Sequence, residues 1–164
     1  MHFKGVMTAT EKVTTLVRVI PEGLYLLRPL FQRYFEEVKY PGQLDMRTLS
    51  RLWSSLISQN AGTIAAANWF IGSGGPEGLV GTNYCPDTFN GEMTATMTFL
   101  YVVPEARGKG LCRALLNFAE EDARQHGCTS IVHGHMFTVD EDGGKAIFKK
   151  RGYELAELGF RKRL

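Results

Sequence analysis

The sequence predicts an α+β domain in which a mixed, mostly antiparallel sheet is flanked by helices. Three observations carry that expectation. The apolar period is about 3.6 residues in the first third, about 2 in the middle and about 3.6 again after Pro104. Short turns rich in glycine, proline and asparagine join the middle segments, as in an antiparallel meander. The last third alternates helical and strand patterns, which adds strands to the sheet and helices to its faces.

In chain order, residues 13–20 are rich in β-branched side chains on alternating faces and predict a first strand. Pro21 suits the first helical position. Leu24, Leu27, Phe31, Tyr34 or Phe35 and Val38 then line one helical face, with Pro29 expected to bend it and Pro41-Gly42 to end it. Asp45 is a candidate N-cap for a second short helix whose stripe is Leu49, Leu52, Trp53, Leu56 and Ile57, closed by Asn60-Ala61-Gly62. Residues 63–70, 79–84 and 93–103 predict three strands joined by turns at 72–76 and 86–91. Leu111, Ala114, Leu115, Phe118 and Ala119 predict an amphipathic helix ending at His126-Gly127, with Gly127 at C′. A strand over 131–135, a short helix over 143–151 and one or two closing strands over 153–164 complete the pattern. No repeat or linker divides the chain, so residues 1–164 are expected to form a single domain, with 1–12 a flexible N-terminal segment.

Lys plus Arg (19) nearly balance Asp plus Glu (17), and a charge of +2 gives no electrostatic footprint for a nucleic-acid backbone or an anionic membrane. No apolar run reaches the ~18 residues of a membrane span, and Met1-His2-Phe3-Lys4-Gly5 does not open a secretory signal, so a cytoplasmic location is expected. Cys85, Cys112 and Cys128 lack metal-ligand or redox spacing; all are expected to be reduced, and no metal is implied.

The segment with chemical content is Val102-Val103-Pro104-Glu105-Ala106-Arg107-Gly108-Lys109-Gly110-Leu111-Cys112. A strand enters a glycine-bearing turn and then a helix, which aims unpaired amides and the positive end of the helix dipole at one spot. Phosphate suits such a spot, and a Cβ at Gly108 or Gly110 would obstruct a diphosphate approaching the main chain. A nucleotide P-loop needs Gly-Lys-Ser/Thr after four intervening residues, and a dinucleotide fingerprint needs a glycine where Arg113 stands; neither motif is present. Cys112 at the helix entry has no neighbouring His or acid in sequence, and its simplest role is a small helix residue.

What remains resembles the acyl-coenzyme A loop of the GNAT family of N-acetyltransferases, Q/R-x-x-G-x-G/A after a strand ending near V-x-P. Arg107 and Gly110 match, while Cys112 departs from the final Gly or Ala. The predicted element order is the family's over nearly the whole chain, and Phe148-Lys149-Lys150-Arg151-Gly152-Tyr153 is similar to its Y-x-K-x-G-F segment. The resemblance implies a sheet splayed at a coenzyme cleft, with acetyl-coenzyme A as cosubstrate. Leu100, Tyr101 and Val102 would meet the pantetheine arm through their main chain. Arg107, Gly108, Lys109, Gly110, Leu111 and Cys112 would meet the diphosphate, and Phe148 would pack beside the arm. It further implies direct transfer of acetyl to a primary amine, on a small molecule or a protein, in a ternary complex.

Many relatives supply the proton for the departing thiolate from a tyrosine at the position of Phe148, which has no hydroxyl. Water, Tyr101 and Tyr153 are the alternatives. His133 and His135 share a strand face and titrate in the range useful for a base; Glu92 and Glu105 are weaker candidates, and packed strand histidines are the plain alternative. The missing hydroxyl also motivates a second function, a non-catalytic acyl-coenzyme A sensor or scaffold. The open edge of the closing strands is where a homodimer would form.

Overall fold

The computed structural model describes residues 16–58, 66–72, 77–134, 141–156 and 162. β1 (Leu16–Arg18) precedes a 3-10 segment (Pro21–Leu27) that runs directly into α1 (Arg28–Glu37), and α2 (Met46–Ser58) follows. The meander is β2 (Ala66–Gly72), β3 (Gly78–Pro86) and β4 (Met93–Val102). After it come a 3-10 turn (Pro104–Ala106), α3 (Leu111–Gln125), β5 (Ser130–His133) and α4 (Glu141–Lys150). The sheet order is β1-β2-β3-β4-β5, antiparallel throughout except for β4 and β5, which are parallel and joined by α3. The predicted α+β class and mixed sheet are therefore present.

Local differences have local causes. Pro29 does not bend one long helix. It sits in the first turn of α1, where its missing N–H has no partner to lose, and the segment before it takes the tighter 3-10 form. Asp45 caps α2 as expected, its Oδ1 accepting from the amides of Arg47 and Thr48, both at 3.0 Å. Leu52, predicted in the α2 stripe, is exposed, and Met46 takes the buried place instead. On α3 the buried stripe is Leu111, Leu115, Leu116, Ala119 and Ala123, so Phe118 falls at its edge and is exposed. Gly127 ends α3 with φ +73°, as a C′ glycine does. Residues 153–156 form no strand, and the remainder of the predicted closing strands, apart from Lys162, lies outside the described residues, as do residues 59–65 and His135.

Two features fix α3 against the sheet. A Cβ at Gly78 would come within 2.9 Å of Leu111 Cδ2 and 3.1 Å of Leu115 Cδ1, so glycine lets the start of α3 lie close on β3. Near its far end, buried Asp122 accepts from the Tyr84 hydroxyl and, at 3.0 Å, from Arg18 of β1. The N-terminus of α3 is thereby held beside the end of β4.

Candidate active site

β4 is the spine of the site. Its pairing with β3 runs its whole length, whereas its pairing with β5 stops at Met97↔His133. Beyond that point, Thr98 to Val102 have no strand on their second edge among the described residues, which is the splay. The Val103 amide donates to the Glu77 carbonyl at 2.8 Å. By antiparallel alternation Tyr101 and Leu79 are the next mutually bonded pair, so Leu100 and Val102 turn their N–H and C=O groups to the open edge. The main chain of Tyr101 faces β3, and its contribution to the site is its side chain.

A β-bulge sets where that side chain goes. Thr82 pairs with Met97 but Gly81 with Phe99, leaving Thr98 as the extra residue. The facing of β4 reverses there. Ala95 packs with Tyr84 and Ala123 on the α3 side, while Phe99 and Tyr101 meet Tyr34 of α1 with ring centroids at 4.6 and 5.6 Å. The Tyr101 hydroxyl donates to Glu37 Oε2 at 2.8 Å. Burial, followed by this bond to a carboxylate, pushes its pKa up to about 12.

Past Val103 the chain makes its 3-10 turn and then uses two left-handed glycines, Gly108 (φ +73°) and Gly110 (φ +86°). Nothing lies within 4 Å of a Cβ built at Gly108, so the space in front of the turn is open. The first helical bond of α3 is Ala114 N–H to the Gly110 carbonyl, at 3.0 Å. The amides of Gly108, Lys109, Gly110, Leu111, Cys112 and Arg113 donate to no main-chain carbonyl among the described residues. This is a cradle of donors at a helix N-terminus, and it fits a diphosphate in shape and sign. Lys109 is exposed beside it. Cys112 is half-buried, and burial pushes its thiol pKa up, the opposite of an activated nucleophile.

Arg107 is held inward rather than extended over the cradle. Its Nε donates to the Val102 carbonyl at 3.0 Å, its Nη2 to Glu37 Oε1 at 2.6 Å, and its guanidinium lies 5.8 Å from the centre of the Tyr101 ring. One helical turn earlier on α1, Arg33 holds both oxygens of Glu105, at 2.7 and 2.8 Å, and keeps that carboxyl's pKa below its usual value. Glu105 is thus committed to an ion pair, and Glu92, at the other end of β4, accepts from the Thr129 hydroxyl at 3.1 Å.

His133 sits where β4 and β5 part. Its Nδ1 is 3.2 Å from the Met97 carbonyl, and a carbonyl only accepts, so the proton is on Nδ1 and Nε2 is the basic nitrogen of the neutral ring. The ring stacks on Phe148 at 4.7 Å, and Phe148 meets Tyr153 edge-on at 5.1 Å. The Tyr153 hydroxyl donates to Glu120 at 3.2 Å, and burial first, then that carboxylate, raises its pKa. His133 and Phe148 are brought together, but Tyr101 is not with them. It lies four residues along β4 from Met97, about 13 Å at strand rise, on the opposite face. Sequence reasoning missed the bulge at Thr98 and the junction of Glu37 with Arg107 and Tyr101. The i, i+4 spacing of Arg33 and Glu37 against Glu105 and Arg107 was the signal for the second.

The family model described as the acetyltransferase (GNAT) family matches residues 24–153. The chain belongs to the GNAT family. As a GNAT member it is an acetyl-coenzyme A-dependent acyltransferase. By sequence, no curated protein matches it significantly. Its fold is similar to that of a ribosomal-protein-alanine N-acetyltransferase from Brucella melitensis biovar Abortus 2308, with 18% identity, TM-score 0.70, and 93% of this chain and 99% of that one covered. A predicted acetyltransferase with acetyl-CoA from Clostridium acetobutylicum has TM-score 0.73 at 14% identity, over 92% and 96% of the two chains. An aminoglycoside acetyltransferase from an uncultured soil metagenomic sample has TM-score 0.70 at 16% identity, over 92% and 98%.

Proposed function

We propose that this GNAT protein transfers acetyl from acetyl-coenzyme A to a primary amine by direct attack in a ternary complex. The observation that carries the proposal is the continuity of a β4 edge that meets no second strand among the described residues with a cradle of amides at the start of α3. The main chain of Leu100 and the amide of Val102, whose carbonyl is taken by Arg107, would bind the pantetheine arm as a neighbouring strand would, and the amides from Gly108 to Arg113 would hold the diphosphate. Acetyl-coenzyme A supplies the activated acyl group.

The remaining work falls to the chain's own groups. An open-edge amide of β4, that of Leu100, is aimed to stabilise the oxyanion that develops on the acyl oxygen. His133 takes the ammonium proton on Nε2, oriented by the Met97 carbonyl at Nδ1. Tyr101, whose pKa is pushed up to about 12, stays protonated at neutral pH and holds its proton more tightly than a thiol of pKa ~8.5. The thiolate is therefore better protonated by imidazolium or solvent than by that phenol. His135 lies outside the described residues and stands as a second candidate base.

The test is amine-dependent thiol release from acetyl-coenzyme A across a panel: a simple alkylamine, a peptide with N-terminal alanine, a lysine peptide and an aminoglycoside. Release with at least one amine is expected. Phe148 at the usual tyrosine position favours a second function, a coenzyme-binding module without turnover, and tight binding with no release from any amine would support it instead.

A further inference from the structure

Glu37 stands in a place a helix does not favour for an anion. It is the last residue of α1, where the helix dipole prefers cations, and no basic residue shares that turn. Its two oxygens have separate partners: Oε2 accepts from Tyr101 and Oε1 from Arg107. Arg107 in turn reaches back to the carbonyl of Val102, five residues earlier, and so closes the turn between β4 and the loop. Beyond Arg107 come Gly108, Lys109 and Gly110, whose glycines restrict the backbone little. The direction in which this stretch leaves β4 is thus set at Arg107.

We infer that Glu37 is a positioning residue for the coenzyme: anchored by Tyr101, it fixes Arg107 against Val102 and thereby sets the direction in which the loop presents its amides. The inference rests on the proposed coenzyme site and adds to it a residue more than sixty positions away in sequence. Glu37 acts through Arg107 and touches neither phosphate nor sulfur. The neighbouring Arg33–Glu105 pair ties the same helix to the 3-10 turn but does not bond Arg107 or the Val102 carbonyl.

The sign of the effect separates positioning from bulk charge. Removing a carboxylate near a phosphate site strengthens anion binding if charge alone matters, whereas loosening the loop weakens it. Calorimetric titration of coenzyme A into the wild-type chain, Glu37→Gln, Arg107→Gln, the double variant and Glu105→Gln tests this. Glu37→Gln is expected to raise Kd about fivefold, as loss of one partly exposed charge-assisted bond would. The double variant should bind no more than about twofold worse than Arg107→Gln alone, because a residue acting through another has no effect once that other is gone. Glu105→Gln should bind as tightly as wild type or more tightly. Should Glu37→Gln not fold, Arg107→Lys, which cannot hold Val102 and Glu37 together, should show the same loss. Unchanged or tighter binding by Glu37→Gln or its substitute, or full additivity in the double variant, overturns the inference while leaving the coenzyme site standing. Absence of binding by the wild-type chain overturns both.

Discussion

Tyr101 keeps its proton in an environment far from water, with its hydroxyl on a carboxylate. Its pKa is pushed up to about 12 by burial and by the Glu37 carboxylate. An ultraviolet absorbance titration should therefore show Tyr101 and Tyr153 both ionising well above the usual ~10, and in Glu37→Gln the Tyr101 transition alone should move down. Because the folded value is raised, the corresponding stabilisation is complete below about pH 10 and is lost as pH climbs towards 12. A wild-type titration with every tyrosine near 10 would contradict the burial. Gly110 makes a different prediction. At φ +86° any Cβ is strained by ~1–2 kcal/mol, so Gly110→Val should lower Tm modestly yet abolish coenzyme A binding. Retained affinity would remove the loop from the site. The loop was legible because Arg107, Gly108 and Gly110 stand in one short run after a strand. The inward hold on Arg107 was not, because it depends on Glu37, which only folding brings near.

At the scale of elements, the sheet and α3 are fixed to each other at two points, and each can be broken. Asp122→Ala would remove the carboxylate that both the buried Tyr84 hydroxyl and Arg18 bond, with a cost of about 3 kcal/mol expected in urea unfolding. A loss under ~1 kcal/mol would show that the network contributes little. Gly78→Val should push back the start of α3, since Leu111 and Leu115 already crowd that point, and should weaken coenzyme binding through the displaced cradle. Strand and helix identities were readable from period and caps, as with Asp45 and Gly127. Faces were harder. The bulge at Thr98 reverses β4 without changing its alternation, and the turn of the α3 stripe away from Phe118 follows from where the sheet lies, not from spacing.

Across the molecule, a strand that meets a second neighbour over only part of its length among the described residues, a turn with two left-handed glycines and the start of a helix meet in one line, and α1 is joined to that line by Arg33–Glu105 and Glu37–Arg107. On the proposed function, such a line would hold a long carrier at its diphosphate and bring its reactive end to the fork of β4 and β5. The acceptor was not legible, since the side chains of residues 21–59 single out no one class of amine. The most direct test is a crystal structure of the chain with coenzyme A. Its diphosphate should lie against the amides of 108–113 and its pantetheine along Leu100 and Val102, with the sulfur towards the end of the β4–β5 pairing near His133. Density for the coenzyme elsewhere, with that turn occupied by water or another anion, would contradict the account.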